Sequence, residues 1–301
     1  MPNKKYILHM LSPQSNVSPF DVNMAYDAGF DAVIGYTHIT TKDVRPLTQD
    51  AIFSRSVADT DKTGIFIGGK DIFDALDMME EAKKAMVPPF EISVFPDPAG
   101  SFTTAAAMVA CVERTLKKQW NTTLKGLNVK IYGGKGIVGG VCGILCAQEK
   151  ANVTLIGYDG VDNVAQRAEG YKKRFNVHMH AADGSSDEKN TELLKDADVV
   201  FCAARAGVQV LSTQQLMTAK NIKAITDANA VPPAGIEGLQ LKDNDAKTPY
   251  DAYAIGPLTS GDIKVKTQYA MFQAMCTNKK NLYLDIAYAA ETARAIVAKQ
   301  G

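Results

Sequence analysis

The chain has 301 residues, enough for two domains that each bury a core. Its 46% apolar and 22% charged content is that of a globular protein, and 33 basic against 33 acidic residues leave no global field suited to nucleic acid or a membrane surface. No apolar run approaches the roughly 20 residues of a membrane span. Met1–Lys5 precede only a short apolar stretch that suits a first strand better than a signal peptide, so a cytoplasmic location is expected.

The first third alternates strand and helix. Tyr6–Met10 reads as a strand, Ser18-Pro19 opens a helix through Ala28, and Ala32–Tyr36 is a strand. Thr41 caps a helix running toward Ser54. Gly64–Ile67 is a strand that ends in Gly68-Gly69-Lys70, before an amphipathic helix Ile72–Met86 stopped by Pro88-Pro89. Glu91–Phe95 is a further strand, and Ser101 opens a long helix, Phe102–Lys118. Such a succession implies an α/β fold with a mostly parallel sheet covered by helices.

From Leu127 a second unit begins. The strand Leu127–Tyr132 leads into Gly134-Lys135-Gly136-Ile137-Val138-Gly139 and an apolar helix, and the next strand, Val153–Tyr158, delivers Asp159 twenty residues past Gly139. That is the fingerprint of a dinucleotide-binding βαβ unit. Gly134 is assigned the tight turn, Gly136 the approach of backbone N–H groups to a pyrophosphate, and Gly139 the close packing of helix on strand. Asp159 can accept the ribose hydroxyls of NAD and repels a 2′-phosphate, so NAD is favoured and NADP stays open. Lys135 either touches a phosphate or projects into water. Further strands are expected at Val177–His180, Val199–Ala203 and Lys223–Asp227, with helices at Val161–Phe175, Asp187–Lys195 and Thr213–Thr218. Ala203 and Asn229 follow strand ends that face the cofactor cleft. After Gly256-Pro257 the chain is helical again, over Ile263–Thr277 and Leu284–Ala298, and these helices are expected to rejoin the first domain.

Four segments outside the glycine motif carry polar groups. Ser18-Pro19-Phe20-Asp21 is also a plain capping arrangement. Asp97–Ala105 follows a strand end, where open α/β sheets bind ligands, and offers the hydroxyls of Ser101, Thr103 and Thr104. Asp227–Gly235 forms a proline-stiffened loop. Gly261–Gln268 places Lys264 and Lys266 at an expected helix start, where the dipole disfavours cations. Cys142 and Cys146 lie one turn apart among apolar neighbours and read as buried thiols; His178 and His180 read as surface residues, and no metal set is assembled. His9 and His38 sit near strand ends without a nameable catalytic partner.

Taken together, Ser18–Ala25, Thr63–Lys70, Val87–Phe90, Asp97–Thr104, Asp227–Ile236 and the stretch around Lys264 resemble the NAD(P)-dependent methylene-tetrahydromethanopterin dehydrogenases of methylotrophic one-carbon (formaldehyde oxidation) metabolism. The resemblance is to the branch accepting both NAD and NADP; Lys135 departs from it, since a small residue is more usual there. It implies a Rossmann-type dinucleotide-binding domain over 120–259 and an amino-acid-dehydrogenase-like α/β pterin-binding domain over 1–119 plus 260–301. It further implies tetrahydromethanopterin as cosubstrate in an interdomain cleft, no metal, and a homo-oligomer. Asp21, Thr103 and Lys264 are the implied catalytic residues, with Asp97, Ser101, Thr104 and Gln268 toward the pterin. Gly134, Lys135, Gly136, Ile137, Val138, Gly139, Asp159, Ala203 and Asn229 fall to the cofactor. A methylene-tetrahydrofolate dehydrogenase and a non-catalytic dinucleotide sensor remain open alternatives.

Overall fold

The computed structural model describes residues 4–278 and 281–300. Met1–Asn3, the start of the stretch read as no signal peptide, lie outside the described residues. In chain order the elements are β1 (Ile7–Leu11), α1 (Pro19–Asp27), β2 (Ala32–Tyr36), α2 (Thr41–Phe53), β3 (Thr63–Ile67), α3 (Ile72–Ala85), β4 (Ser93–Pro96) and α4 (Ser101–Trp120). There follow β5 (Asn128–Tyr132), α5 (Ile137–Gln148), β6 (Asn152–Gly157), α6 (Asp162–Phe175), β7 (His180–Asp183), α7 (Asp187–Leu194), β8 (Val199–Cys202) and α8 (Thr213–Leu216). The last are β9 (Ala224–Asp227), β10 (Asn244–Lys247), β11 (Tyr253–Ile255), α9 (Pro257–Thr277) and α10 (Ile286–Ala298). The chain divides into two compact units, Met1–Thr103 with Val265–Thr292 and Thr104–Lys264 with Ala293–Gly301, and the division falls within α4, α9 and α10.

The first unit holds a parallel sheet in the order β2-β1-β3-β4. Strand order reverses between β1 and β3, and all four carboxyl ends share one edge, the side on which open α/β sheets receive ligands. β3 and β4 are buried along their whole length, as apolar runs covered on both faces should be. Phe66 and Phe95 meet Phe272 of α9 at ring-centroid distances of 5.3 and 5.0 Å, and Phe30 reaches the same ring at 6.3 Å. That aromatic cluster ties α9 to the sheet.

The second unit holds a sheet in the order β10-β11-β9-β8-β5-β6-β7, parallel except for the antiparallel edge strand β10. Read from β7, this is the doubly wound Rossmann order, and its reversal lies between β5 and β8.

Several sequence expectations are corrected. Thr40, not Thr41, caps α2; its amide and hydroxyl both donate to Asp43. The strand expected at Val177–His180 lies three residues later, at β7. Asn176 ends α6 in a left-handed conformation, and the ladder with β6 opens only at His180, opposite Thr154. Lys223–Asp227 was expected to close the Rossmann sheet, but β11 and β10 extend it. β10 is the polar Asn-Asp-Ala-Lys and β11 has three residues, so neither shows a strand-like apolar alternation. Finally, α9 starts at Pro257, because proline suits the first helical turn. Lys264 therefore sits two turns inside the helix, and the expected conflict with its dipole does not arise.

Phe272 is fully buried whereas Val265, on the same helix, is 40% exposed. Phe272→Ala should cost about 3–5 kcal/mol in urea unfolding, and Val265→Ala should stay within about 0.5 kcal/mol.

Candidate functional site

The glycine segment leaves β5 at Gly133, which takes a positive φ of +77°. The tight turn thus belongs to Gly133 rather than to Gly134. A Cβ on Gly133 would meet the Ala203 carbonyl oxygen at 2.4 Å. One on Gly134 would lie 2.7 Å from the Leu155 Cβ, and one on Gly139 2.5 Å from the Gly133 carbonyl oxygen. Backbone packs on backbone at all three positions. Gly136 is the N-cap of α5 and among the described residues no side chain caps that helix, so the first-turn N–H groups, those of Ile137 and Val138 included, are open to an anion. Apart from its ends, α5 is fully buried, which suits its run of Val, Cys, Ile and Leu.

Beside this turn lies a cavity of about 530 Å³, within the size range of ligand pockets. Its lining includes Gly133, Lys135, Gly136, Tyr158, Ala203 and Arg205, together with Gly184–Asp187, Asn190 and Val208–Val210. A glycine cradle that no Cβ could share, an uncapped helix start and a pocket at the strand-order reversal fit a dinucleotide. Asp159 follows the end of β6. Its Oδ2 accepts hydrogen bonds from Lys135 Nζ and from Asn163 Nδ2, the latter at 3.2 Å. The bond from Lys135 holds the Asp159 carboxyl below its usual range, and the same bond raises the Lys135 ammonium. Lys135 therefore does not simply project into water.

Ala203 lines the cavity and its N–H donates to Tyr132. The Asn229 amide serves its own loop: Oδ1 accepts from Val231 N–H and Nδ2 donates to the Pro233 carbonyl, each at 2.8 Å. Asp227 anchors the same loop, accepting the Asn229 and Ile236 N–H groups at 2.9 and 3.1 Å. Burial pushes its carboxyl up, and these N–H groups partly restore it.

Arg205, Tyr158, Asn190 and the Gly184–Ser186 turn were missed as wall residues. All follow carboxyl ends of strands or lie in the helix beyond, a positional signal the sequence does contain. The misplaced β7 concealed Gly184–Ser186.

In the first unit, Asp97 is fully buried after β4. Its Oδ1 accepts Phe102 N–H at 2.8 Å and Thr103 N–H at 3.3 Å, and its Oδ2 accepts the Thr103 hydroxyl at 2.7 Å. The cap of α4 is therefore Asp97, and the Ser101 hydroxyl, also fully buried, has no hydrogen-bond partner among the described residues. The preceding turn places Ala99 in the left-handed region at φ 48°, a conformation costly for a residue with a Cβ. Thr104, the next residue of α4, is half-buried. Asp21, at the third position of α1, is 5% exposed and its Oδ1 accepts Gln268 Nε2 at 2.6 Å. Lys264 is half-buried on α9, one turn before Gln268. So Asp21 joins Gln268, and Asp97 joins Thr103.

Cys142 and Cys146 are buried thiols whose pKa values burial raises. His178 and His180 are exposed. The His9 Nδ1 lies 3.1 Å from the Tyr36 hydroxyl, and burial lowers its pKa.

The family model described as "Methylene-tetrahydromethanopterin dehydrogenase, N-terminal" matches residues 19–99. Over 93% of its length the chain is 48% identical to the NAD(P)-dependent methylenetetrahydromethanopterin dehydrogenase of Methylorubrum extorquens, covering 94% of that protein. Among solved structures it is similar to the ligand-free 5-ketofructose reductase of Gluconobacter sp. strain CHM43, with a TM-score of 0.54, 15% identity, and coverage of 97% of this chain and 99% of that one. It is also similar to shikimate 5-dehydrogenase of Listeria monocytogenes in complex with shikimate and NAD, with a TM-score of 0.52, 11% identity, and coverage of 95% and 96%. These two likenesses are of fold alone, an α/β architecture with parallel sheets.

Thr103→Val leaves the buried Asp97 carboxylate short of a donor and should cost about 1–3 kcal/mol in denaturant unfolding, while Thr103→Ser, which keeps the hydroxyl, should cost less. Gly139→Ala forces a Cβ against the Gly133 carbonyl and should weaken NADH binding, followed by fluorescence titration, by about tenfold or more. Unaltered binding would show that the close packing does not shape the cradle.

Proposed function

The chain belongs to the family of NAD(P)-dependent methylene-tetrahydromethanopterin dehydrogenases, and from that membership we propose that it transfers a hydride from methylene-tetrahydromethanopterin to NAD(P), giving methenyl-tetrahydromethanopterin and NAD(P)H. The observation that carries this reading is 48% identity spread over 93% of the chain. The glycine cradle and its pocket supply the physical counterpart.

Bound NAD(P) supplies the hydride acceptor. The first-turn N–H groups of α5 hold its pyrophosphate, and Asp159 receives ribose hydroxyls, which favours NAD. The pterin falls to the 1–119 plus 260–301 domain, and the dinucleotide to 120–259. Oxidising a carbon between two nitrogens to a methenyl cation moves one hydride and no proton. The chemistry therefore asks for no general base, and the flanking nitrogens spread the positive charge without a metal. Catalysis rests on a near-attack pose and on electrostatics.

Asp21 is the group for the second role. It is a buried carboxylate whose Oδ1 accepts the Gln268 amide, a bond that helps fix its orientation. A fixed negative charge in a poorly screened site stabilises a developing cation more than it would in water. Asp97 and Thr103 form the rigid start of α4 and present the Ser101 and Thr104 hydroxyls toward pterin polar groups. Lys264 either binds such groups away from the reacting carbon, where an ammonium would oppose the developing charge, or pairs with Asp21. The same membership supports a homo-oligomer acting in the cytoplasm, and among the described residues no helix is long and apolar enough to cross a membrane.

Purified protein mixed with methylene-tetrahydromethanopterin should reduce both NAD and NADP, read from the absorbance of the reduced nicotinamide. Asp21→Asn should lower kcat by about 10²-fold with circular dichroism unchanged. Activity on methylene-tetrahydrofolate alone would replace the substrate. No turnover on either pterin would contradict the enzymatic reading.

A further inference from the structure

Lys135 stands between two glycines of the cradle, where a long charged side chain serves no turn and no packing. Its ammonium nevertheless has fixed partners, and both lie at the end of β6. It donates to Asp159 Oδ2, and it sits 5.1 Å from the centre of the Tyr158 ring. Asn163 donates to the same Oδ2 at 3.2 Å, so the carboxylate is pinned from two sides through one oxygen. Lys135 and Tyr158 both line the dinucleotide cavity. Among the described lining residues only Lys135 and Arg205 carry positive charge and only Asp187 is acidic.

We propose that Lys135 sets the balance between NAD and NADP: its ammonium, seated on Asp159, cancels the charge that would otherwise repel a 2′-phosphate, while Asp159 Oδ1 stays available for ribose hydroxyls. The inference rests on the NAD(P) reading and deepens it. A carboxylate alone at this position excludes the doubly charged phosphate. A carboxylate paired with a lysine presents no net charge and both kinds of hydrogen-bonding atom. With NAD, the ribose hydroxyls donate to the carboxylate. With NADP, the ammonium on the same carboxylate donates to the phosphate oxygens, an ion-assisted bond. The lysine stem is flexible and carries a compact point charge, so it can follow either ligand. Tyr158 keeps the ammonium near the ribose end, because the face of its ring attracts a cation.

The test is direct titration of the intact protein with NADH and with NADPH, without pterin, in wild type, Lys135→Met, Asp159→Asn and the double variant. The proposal expects the ratio of NADPH to NADH dissociation constants to rise at least about tenfold in Lys135→Met. It expects the ratio to fall below the wild-type value in Asp159→Asn, and to return toward wild type in the double variant. Higher salt should raise the wild-type ratio, since it screens the attraction between the ammonium and the phosphate. If Lys135→Met weakens both cofactors equally, the lysine is a pyrophosphate ligand and the proposal is wrong. It is equally wrong if neither affinity changes. Because no pterin is present, an error in the pterin assignment would leave this outcome untouched, whereas failure of wild type to bind either nucleotide would overturn the NAD(P) reading along with the proposal.

Discussion

Where β5 turns into α5, there is no room for a Cβ. Gly133, Gly134 and Gly139 bring the β5–α5 turn into close contact with the segment after β8, with β6 and with α5 respectively, and the geometry of the cofactor region follows from that constraint. Close approach of α5 lets its uncapped N-terminus face the pocket with its N–H groups unshielded by side chains. Close approach of Gly134 to Leu155 and Ile156 brings the turn beside β6. Only because β6 runs that near can Lys135, from the turn, reach Asp159 beyond the end of that strand. A larger residue at any of the three positions would separate elements whose polar groups must converge on one ligand.

The first unit is organised around two buried carboxylates, and buried charge is costly unless it is well bonded. Asp97 meets that cost with two backbone N–H groups and a hydroxyl at the start of α4, where the helix dipole also favours a negative charge. It is a structural anchor that leaves the Ser101 hydroxyl buried and, among the described residues, unpartnered beside it. Asp21 instead accepts a side-chain amide, that of Gln268, from a helix distant in sequence. A buried carboxylate oriented by hydrogen bonds is suited to a site where positive charge develops during reaction.

Much of this was legible in the sequence. Segments with a clear period or a clear stop, such as β6, α3 and α7, lie within a residue or two of their expected bounds, because local patterning and turn chemistry act together there. Elements decided by tertiary context were not legible. The polar edge strand β10 exists because β11 offers it a ladder, and β7 begins where β6 permits rather than where Val177 and Met179 alternate. The glycine cradle could be read from its spacing, but the residue taking positive φ could not, since Gly133 and Gly134 are equivalent as letters. Asp21 could be singled out beside Ser18, whereas its bond to Gln268 spans 247 positions and leaves no local trace. The partner of Lys135 was hidden for the same reason: it stands 24 positions away along the chain, at Asp159.

The central claim is direct hydride transfer from the pterin to the nicotinamide without exchange with solvent. Its most direct test uses methylene-tetrahydromethanopterin deuterated at the bridging carbon, with the reduced cofactor recovered and weighed by mass spectrometry. Direct transfer predicts that each NAD(P)H formed carries a single deuterium and that none appears in water. Unlabelled NAD(P)H, with the deuterium washed into solvent, would contradict the account.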